Sequence, residues 1–301
     1  MRDLGIVIVN YNTRNLLHTC VSTILASQGD FSFEICVVDN ASTDGSADMV
    51  AEEFPQIHLI ANRHNTGYPA ANNQGLRALG YPEGADASRF VLLLNSDTEL
   101  PPDGLSKMLA FMREHPDAGV AGPKLVRRDG SLDLACRRSF PTPAVSFYRL
   151  TRLSTLFPRS RRFARYNLTY LDPDEVAEVD AVVGAFLLAR GEAIRQVGLM
   201  DETFFLYGED LDWCYRIKEA GWRVYYNPAV TVLHVKRAST RHSARAQVEF
   251  WRAMLLFYQK HYAPRTPWAI HILIMGVLKM RIGLERLWQW PTGGRRRAQV
   301  W

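Results

Sequence analysis

Cysteine is scarce and scattered. Cys20, Cys36, Cys136 and Cys214 form no C-x-x-C pair, which excludes a disulfide framework and a thiolate zinc site. The expectation is four reduced thiols in a cytosolic protein. Long apolar runs are missing too. The longest candidate, residues 268–278, contains His271 and falls well short of the roughly 20 residues a spanning helix needs. Met1-Arg2-Asp3-Leu4 leads straight into a strand-like segment without a cationic leader or cleavage site, so no signal peptide is expected. There is no internal repeat and no low-complexity linker. Charge of one sign is in small excess: 36 Lys and Arg against 31 Asp and Glu give a net +5. With no nucleic-acid motif present, nucleic acid is not an expected partner. The 301 residues are 47% apolar and 22% charged, which excludes a disordered tail, a collagen-like repeat and a coiled coil. Such a chain can bury a substantial core as one large or two small domains.

What is present alternates between two periods. Gly5 to Val9 reads as a strand buried on both faces, Phe33 to Val38 as a second, Ile57 to Ile60 as a third and Phe90 to Leu94 as a fourth. Between them, Leu16 to Ala26, Ser46 to Phe54 and Tyr68 to Leu79 have helical spacing. Strands alternating with helices predict an α/β fold with a mostly parallel central sheet flanked by helices. Beyond Leu100 the regularity weakens. Helices are expected over Asp103 to His115, Gly191 to Val197, Asp210 to Ala220 (closed by Gly221) and Ala244 to Tyr262,. Strands are expected at Gly119 to Gly122, Val182 to Ala189, Val224 to Tyr226 and Val230 to Leu233.

In parallel sheets ligands bind at the carboxyl ends of the strands. Each of the first four strands ends in polar residues: Asn10-Tyr11-Asn12-Thr13, Asp39-Asn40-Ala41-Ser42, Asn62 to Gly67, and Asn95-Ser96-Asp97-Thr98-Glu99. One such residue is turn chemistry; four sets on one edge predict a polar crevice. Asp97, at the mouth of the most apolar strand, can bind a hard divalent cation, Mg²⁺ or Mn²⁺, together with substrate phosphates. Asp39 can accept hydrogen bonds from a ribose or base. The small residues from Asn65 and Gly67 through Asn72 open a helix, where backbone N–H groups approach an anion closely or the helix packs tightly on the sheet.

The segment Leu206 to Arg216 places three acids, Glu209, Asp210 and Asp212, in the first turn of a helix. Helical spacing puts Asp210, Trp213, Cys214 and Ile217 on one stripe and pairs Asp212 with Arg216. Burial and acidic neighbours are expected to raise the Asp210 pKa, with the helix N-terminus opposing, as suits a general base. His234 ends a strand and can serve a metal or a diphosphate, with Lys236 and Arg237 beside it.

Taken together, the ordered motifs Val7 to Asn12, Val37 to Ser42, Asn65 to Tyr68, Leu94 to Thr98, Gly184 to Phe186 and Phe205 to Asp212 resemble a family 2 glycosyltransferase with the GT-A fold, most of all the bacterial rhamnosyltransferase-like group. The resemblance covers residues 4–240. It implies inverting transfer from a nucleoside-diphosphate sugar, dTDP- or UDP-linked with rhamnose the sugar of the subgroup, to a glycan or polyprenyl-diphosphate-linked acceptor in cell-surface polysaccharide synthesis. It further implies that Asp210 is the base; that Asn10, Asn12, Asp39, Asn65, Gly67, Asn72, Asn95, Ser96 and Asp97 line the donor; that Glu209, Asp212, Trp213 and Arg216 face the acceptor; and that Asp97 and His234 hold the cation. Asn95 stands where the family's D-x-D-type motif begins with Asp, so the cation is expected to bind mainly with the diphosphate. Rival readings are a sugar-nucleotide nucleotidyltransferase, which wants a glycine-rich phosphate loop the N-terminus lacks, and a non-catalytic nucleotide-sugar-binding subunit.

Two regions lie outside those motifs. Residues 137–165 carry eight arginines (Arg137, Arg138, Arg149, Arg152, Arg159, Arg161, Arg162 and Arg165) and no acid. They read as a solvated loop or as a rim facing an anionic acceptor or membrane. The stretch from Trp268 mixes Ile, Leu and Trp with Lys279, Arg281 and Arg286, which suits an interfacial helix on anionic lipid or a core or dimer helix. The expected organisation is a transferase domain over 1–240 (donor half 1–100, acceptor half 101–240) and a helical extension over 241–301, peripheral at the inner face of the cell membrane.

Overall fold

The computed structural model describes residues 2–84, 87–235 and 244–289, the last including residues 244, 245, 288 and 289 by backbone only. Lys236, Arg237, the 240/241 boundary, Trp290 and the Arg295–Arg297 run lie outside the described residues.

The first half runs β1 (Leu4–Asn10), α1 (Arg14–Leu25), β2 (Phe33–Asp39), α2 (Ser46–Glu53), β3 (His58–Ala61), α3 (Tyr68–Ala78), β4 (Phe90–Asn95), β5 (Thr98–Glu99) and α4 (Gly104–Glu114). The second half runs β6 (Ala118–Val126), α5 (Pro143–Leu150), α6 (Leu153–Leu156), β7 (Ala177–Val179), β8 (Phe186–Arg190), α7 (Gly191–Val197), α8 (Glu209–Glu219), β9 (Arg223–His234), α9 (Ala244–His261) and α10 (Trp268–Gln289). Nine strands form one sheet in the order β3-β2-β1-β4-β8-β6-β9-β5, with β7 on β9. β1 to β4 are parallel. β8 then enters antiparallel between β4 and β6, so the sheet as a whole is mixed.

The centre of the parallel part, β1 and β4, is buried on both faces, as its apolar runs require, while the edge strand β3 is partly exposed,. Leu4, Ile6, Val7 and Ile8 have no exposed surface. Helix α3 lies against β1 so closely that a Cβ on Gly75 would stand 2.4 Å from Val7 Cγ1. At Gly75, therefore, the small-residue pattern serves tight helix–sheet packing.

Three sequence expectations change. The two short strands expected at 224–226 and 230–233 are one strand, β9. Its pairing with β6 slips between Asn227 and Thr231, because Pro228 cannot donate a ladder bond. The strand expected from Val182 begins only at Phe186; residues 182–185 instead turn and present Gly184 to the crevice. The basic stretch is no uniform solvated loop. Arg137 is buried, donates to the carbonyls of Asp172 and Leu171 and stacks over Tyr226. Arg138 is buried too, whereas Arg149 and the arginines after it are exposed.

Helix α9 docks on this body through Ala253 and Phe257. It holds α10 through Val248, Trp251, Leu278 and Ile282. Among the described residues no helix is long and apolar enough to cross a membrane.

Candidate active site

The polar residues that follow β1, β2 and β4 meet at the carboxyl ends of those strands. Asn10 is fully buried. Its amide donates to Asp39 Oδ2 at 3.0 Å and to Ser42 Oγ at 3.1 Å, and its Oδ1 accepts from Thr13 Oγ1. Thr13 in turn lies 2.8 Å from Ser96 Oγ, which ties the β1, β2 and β4 loops into one network. Asp39 also accepts from the Ser42 N–H. Asn12, in the left-handed region at φ 52°, accepts from the Thr43 N–H. Asn65 Oδ1 accepts from Asn40 and from the Gly67 N–H. Gly67 is at φ +87°, and a Cβ there would lie 2.8 Å from the Phe205 carbonyl oxygen, so only glycine fits. Asn72 donates to the Tyr68 carbonyl, and its Oδ1 is buried without a hydrogen-bond partner among the described residues.

Tyr68 connects the two halves. Its hydroxyl, at the start of α3, lies 3.0 Å from Asn95 Oδ1 and 2.9 Å from the Gly184 carbonyl. Gly184 donates its N–H to Asp210 Oδ2 at 3.1 Å. The Tyr68 phenol is pushed well above its ordinary pKa, first by burial and then by the nearby charges of Glu209, Asp210 and Asp97. Asn95 is therefore a positioned amide at the end of β4.

Asp97 and His234 are brought together by strand pairing. The two-residue strand β5 follows Asp97 directly and pairs antiparallel with the end of β9, setting Thr98 opposite His234. The Val235 N–H then donates to the Asp97 carbonyl. His234 Nε2 stands 3.4 Å from Asp97 Oδ1, and Nδ1 stands 3.0 Å from Asp133 Oδ2. Burial alone would lower the His234 pKa, but the bonds to Asp133 and Asp97 outweigh it and raise it to about 9. Two carboxylates thus favour a positive charge between them, which a bound cation would supply in place of the imidazole proton. One carboxylate oxygen and one imidazole nitrogen, both nearly buried, fit a divalent cation that takes its remaining ligands from a diphosphate. Among the described residues no group of three or more protein ligands could hold a metal without such help.

Helix α8 presents its acids in three different ways. Asp210 is buried, ion-paired to Arg138 Nη2 at 2.7 Å, and its Oδ1 accepts from the Leu211 N–H. The neighbouring acid, Glu209, has a raised pKa. It is pushed up first by burial and then by the charge of Asp210, and its Oε2 has no hydrogen-bond partner among the described residues.

Asp212 has no exposed surface. It forms the expected pair with Arg216 at 2.9 Å, and it also takes Lys260 and His261 of α9, each at 2.8 Å. Trp213 is sealed, with its indole N–H on the Gly198 carbonyl. Arg216 donates to the Val197 and Leu199 carbonyls. The acceptor-facing role expected of Asp212, Trp213 and Arg216 does not match this placement: they clamp α8 to α9 and to the turn after α7.

Sequence reasoning missed Tyr68, Asp133 and Arg138 as members of the site. Arg138 carried one usable signal. It and Arg137 stand next to an apolar segment with cysteine and phenylalanine, unlike the later arginines. Asp133 carried none, because its link to His234 spans 101 residues.

Known proteins resemble the chain at both levels. The pattern described as "Glycosyl transferase family 2" matches residues 5–174, and that described as "Glycosyl transferase family group 2" matches residues 90–292. An N-acetylglucosaminyl-diphospho-decaprenol L-rhamnosyltransferase of Mycobacterium tuberculosis (strain ATCC 25618 / H37Rv) is 31% identical over 243 residues, covering 79% of this chain and 77% of that protein. The dTDP-rhamnosyl transferase RfbF of Shigella flexneri is 23% identical over 228 residues, covering 76% and 67%. In fold, the chain is similar to GalNAc-T7 crystallised with UDP, GalNAc and Mn²⁺ (TM-score 0.58, 15% identity, 89% of this chain and 52% of that one). It is also similar to S. aureus TarS (TM-score 0.54, 16% identity, 93% and 43%); the chain thus spans about half the length of these two structures. With its sheet, its ordered motifs and these likenesses in agreement, the chain belongs to glycosyltransferase family 2, is rhamnosyltransferase-like and has the GT-A fold.

Proposed function

We propose that this enzyme moves a sugar, rhamnose on the strength of its relatives, from a nucleoside-diphosphate donor to a hydroxyl of a polyprenyl-diphosphate-linked saccharide, with inversion at the anomeric carbon. The observation that carries the reading is the bridge Asn95–Tyr68–Gly184–Asp210. It links the strand end that leads to Asp97 with the carboxylate of Asp210 through hydrogen bonds, which supports a shared site. A nucleotidyltransferase or a silent binding subunit has no need of that convergence.

The roles follow the geometry. Asp39, held by Asn10 and Ser42, meets the nucleoside, and residues 1–100 form the donor half. The Asn65–Asn72 segment and Ser96 line the diphosphate side. Asp97 and His234 would hold Mg²⁺ or Mn²⁺, which would supply positive charge for the departing diphosphate. Because Asn95 brings no charge, nucleotide is needed for tight metal binding. Asp210 Oδ1 receives the proton of the acceptor hydroxyl as its oxygen attacks the anomeric carbon in line. Arg138 and the Gly184 N–H fix the other oxygen, so the carboxylate enters the reaction already oriented.

The surface of α10 supports work at an anionic membrane. Trp268, Ile272, Leu273 and Leu287 are each more than half exposed, beside Lys279 and Arg286, the composition of an interfacial helix. The test of the functional reading is a thermal-shift panel of nucleoside diphosphates and their sugars, with and without Mn²⁺. A shift with one base, enlarged by Mn²⁺, is expected; no shift with any of them contradicts the reading.

A further inference from the structure

Next to the Glu209–Asp210 turn lies an apolar hollow that the donor chemistry does not use. Its cavity volume is about 60 Å³, and its walls include Arg149 and Leu150 of α5, Tyr166, Leu211 of α8, and Phe250 and Met254 of α9. Gly208 and Leu211, on either side of Glu209 and Asp210, form part of its lining. Pro141 lines it as well, and it belongs to the loop that carries Arg138 to its ion pair with Asp210. The hollow is therefore built from the same two segments that hold the candidate base.

Its chemistry excludes a sugar. An apolar lining leaves carbohydrate hydroxyls without partners, at a cost for each. It does fit an alkyl or isoprenoid chain, provided that the chain carries an anion. Arg149 stacks its guanidinium 4.1 Å from the centre of the Tyr166 ring, and among the described residues it forms none of the observed ion pairs. No acid stands between residues 137 and 165 to oppose an incoming anion. The apolar surface also continues outward. Phe147 and Leu150 of α5 are exposed. Phe250 and Met254 pack on the α9–α10 cluster, behind which lies the exposed apolar face of α10.

We propose that this hollow takes the first isoprene units of a polyprenyl diphosphate, with Arg149 on the diphosphate, and so delivers the lipid-linked sugar to Asp210. The proposal rests on the reading of a lipid-linked acceptor and assigns that acceptor its site.

Titration calorimetry on the full chain, with farnesyl diphosphate below its micellar concentration and inorganic pyrophosphate as probes, tests it. Farnesyl diphosphate is expected to bind at least about tenfold tighter than pyrophosphate, since several buried CH₂ groups supply more than that. Met254→Trp, which fills the hollow, and Leu150→Asp, an exposed position that tolerates the change, are each expected to abolish the difference while nucleoside-diphosphate binding persists. Arg149→Gln is expected to weaken both probes. Equal binding of the two probes by the unaltered protein overturns the proposal even where a variant fails to fold, and so does wild-type affinity in both hollow variants. The two readings separate cleanly. If farnesyl diphosphate binds as described but no lipid-linked acceptor receives sugar, the functional reading fails and the site stands. If transfer to a lipid-linked acceptor proceeds with the same KM in the variants, the site fails and the functional reading stands.

Discussion

Asp133 and His234 meet at 3.0 Å, carboxylate to Nδ1, leaving Nε2 turned toward Asp97. A carboxylate behind an imidazole fixes the ring and selects which nitrogen is free for a ligand. Asp133 is itself held, because its other oxygen accepts from the Ala135 N–H. Asp133→Asn is expected to weaken Mn²⁺-dependent binding of the nucleoside diphosphate by about 10- to 100-fold. Binding measured without Mn²⁺ should change little. Calorimetry with and without the cation makes the comparison.

The buried pair of Arg138 and Asp210 gives a stability prediction. Removing one partner leaves an uncompensated buried charge. Arg138→Met is therefore expected to cost about 3–5 kcal/mol in urea denaturation. Arg138→Met combined with Asp210→Leu should recover much of that loss without restoring transfer, because packing is repaired and the proton acceptor is gone.

Glu209 supplies a pH dependence. In the unfolded chain it ionises near its ordinary value of 4.5, whereas in the fold burial and Asp210 hold the proton to higher pH. The folded state then binds more protons than the unfolded one, so stability falls as pH rises through 4.5 toward the folded value. Glu209→Gln removes this term. The variant is expected to melt higher than wild type at pH 8 and at the same temperature at pH 4, as thermal denaturation across that range can check.

Gly67 tests the left-handed turn that aims Tyr68. With φ at +87° and the Phe205 carbonyl in the way, Gly67→Ala is expected to destabilise by more than about 1 kcal/mol. It should also weaken nucleoside-diphosphate binding, because Tyr68 hydrogen-bonds the Asn95 side chain beside Asp97. The Gly130→Ala change, where a Cβ meets nothing within 4 Å, is the control for backbone strain alone.

Much of this site was legible in the sequence because local rules suffice for it. Helix α7 falls where its periodicity puts it, and the Asp212–Arg216 pair follows from helical spacing. Asn10 and Asp39 end neighbouring parallel strands, as the pattern predicts, and their side chains meet there. What could not be read depends on distant pairing. Arg138 and Asp210 are 72 residues apart, and no period in the chain links them. Trp213 and Asp212 were assigned to the acceptor because their helix begins at the site. Which side of that helix α9 covers is decided by Lys260 and His261, far along the chain. Pro228 concealed the continuity of β9 by interrupting its pattern while the strand carried on.

The central claim is that Asp210 takes a proton from an acceptor hydroxyl opposite a diphosphate held near Asp97. The direct measurement is sugar transfer from a nucleoside-diphosphate sugar to a polyprenyl-diphosphate-linked saccharide by wild type and Asp210→Asn, with nucleoside-diphosphate binding measured on the same samples. The account predicts a fall in transfer of about 10²- to 10⁴-fold with donor binding retained. Transfer by Asp210→Asn at the wild-type rate would contradict it.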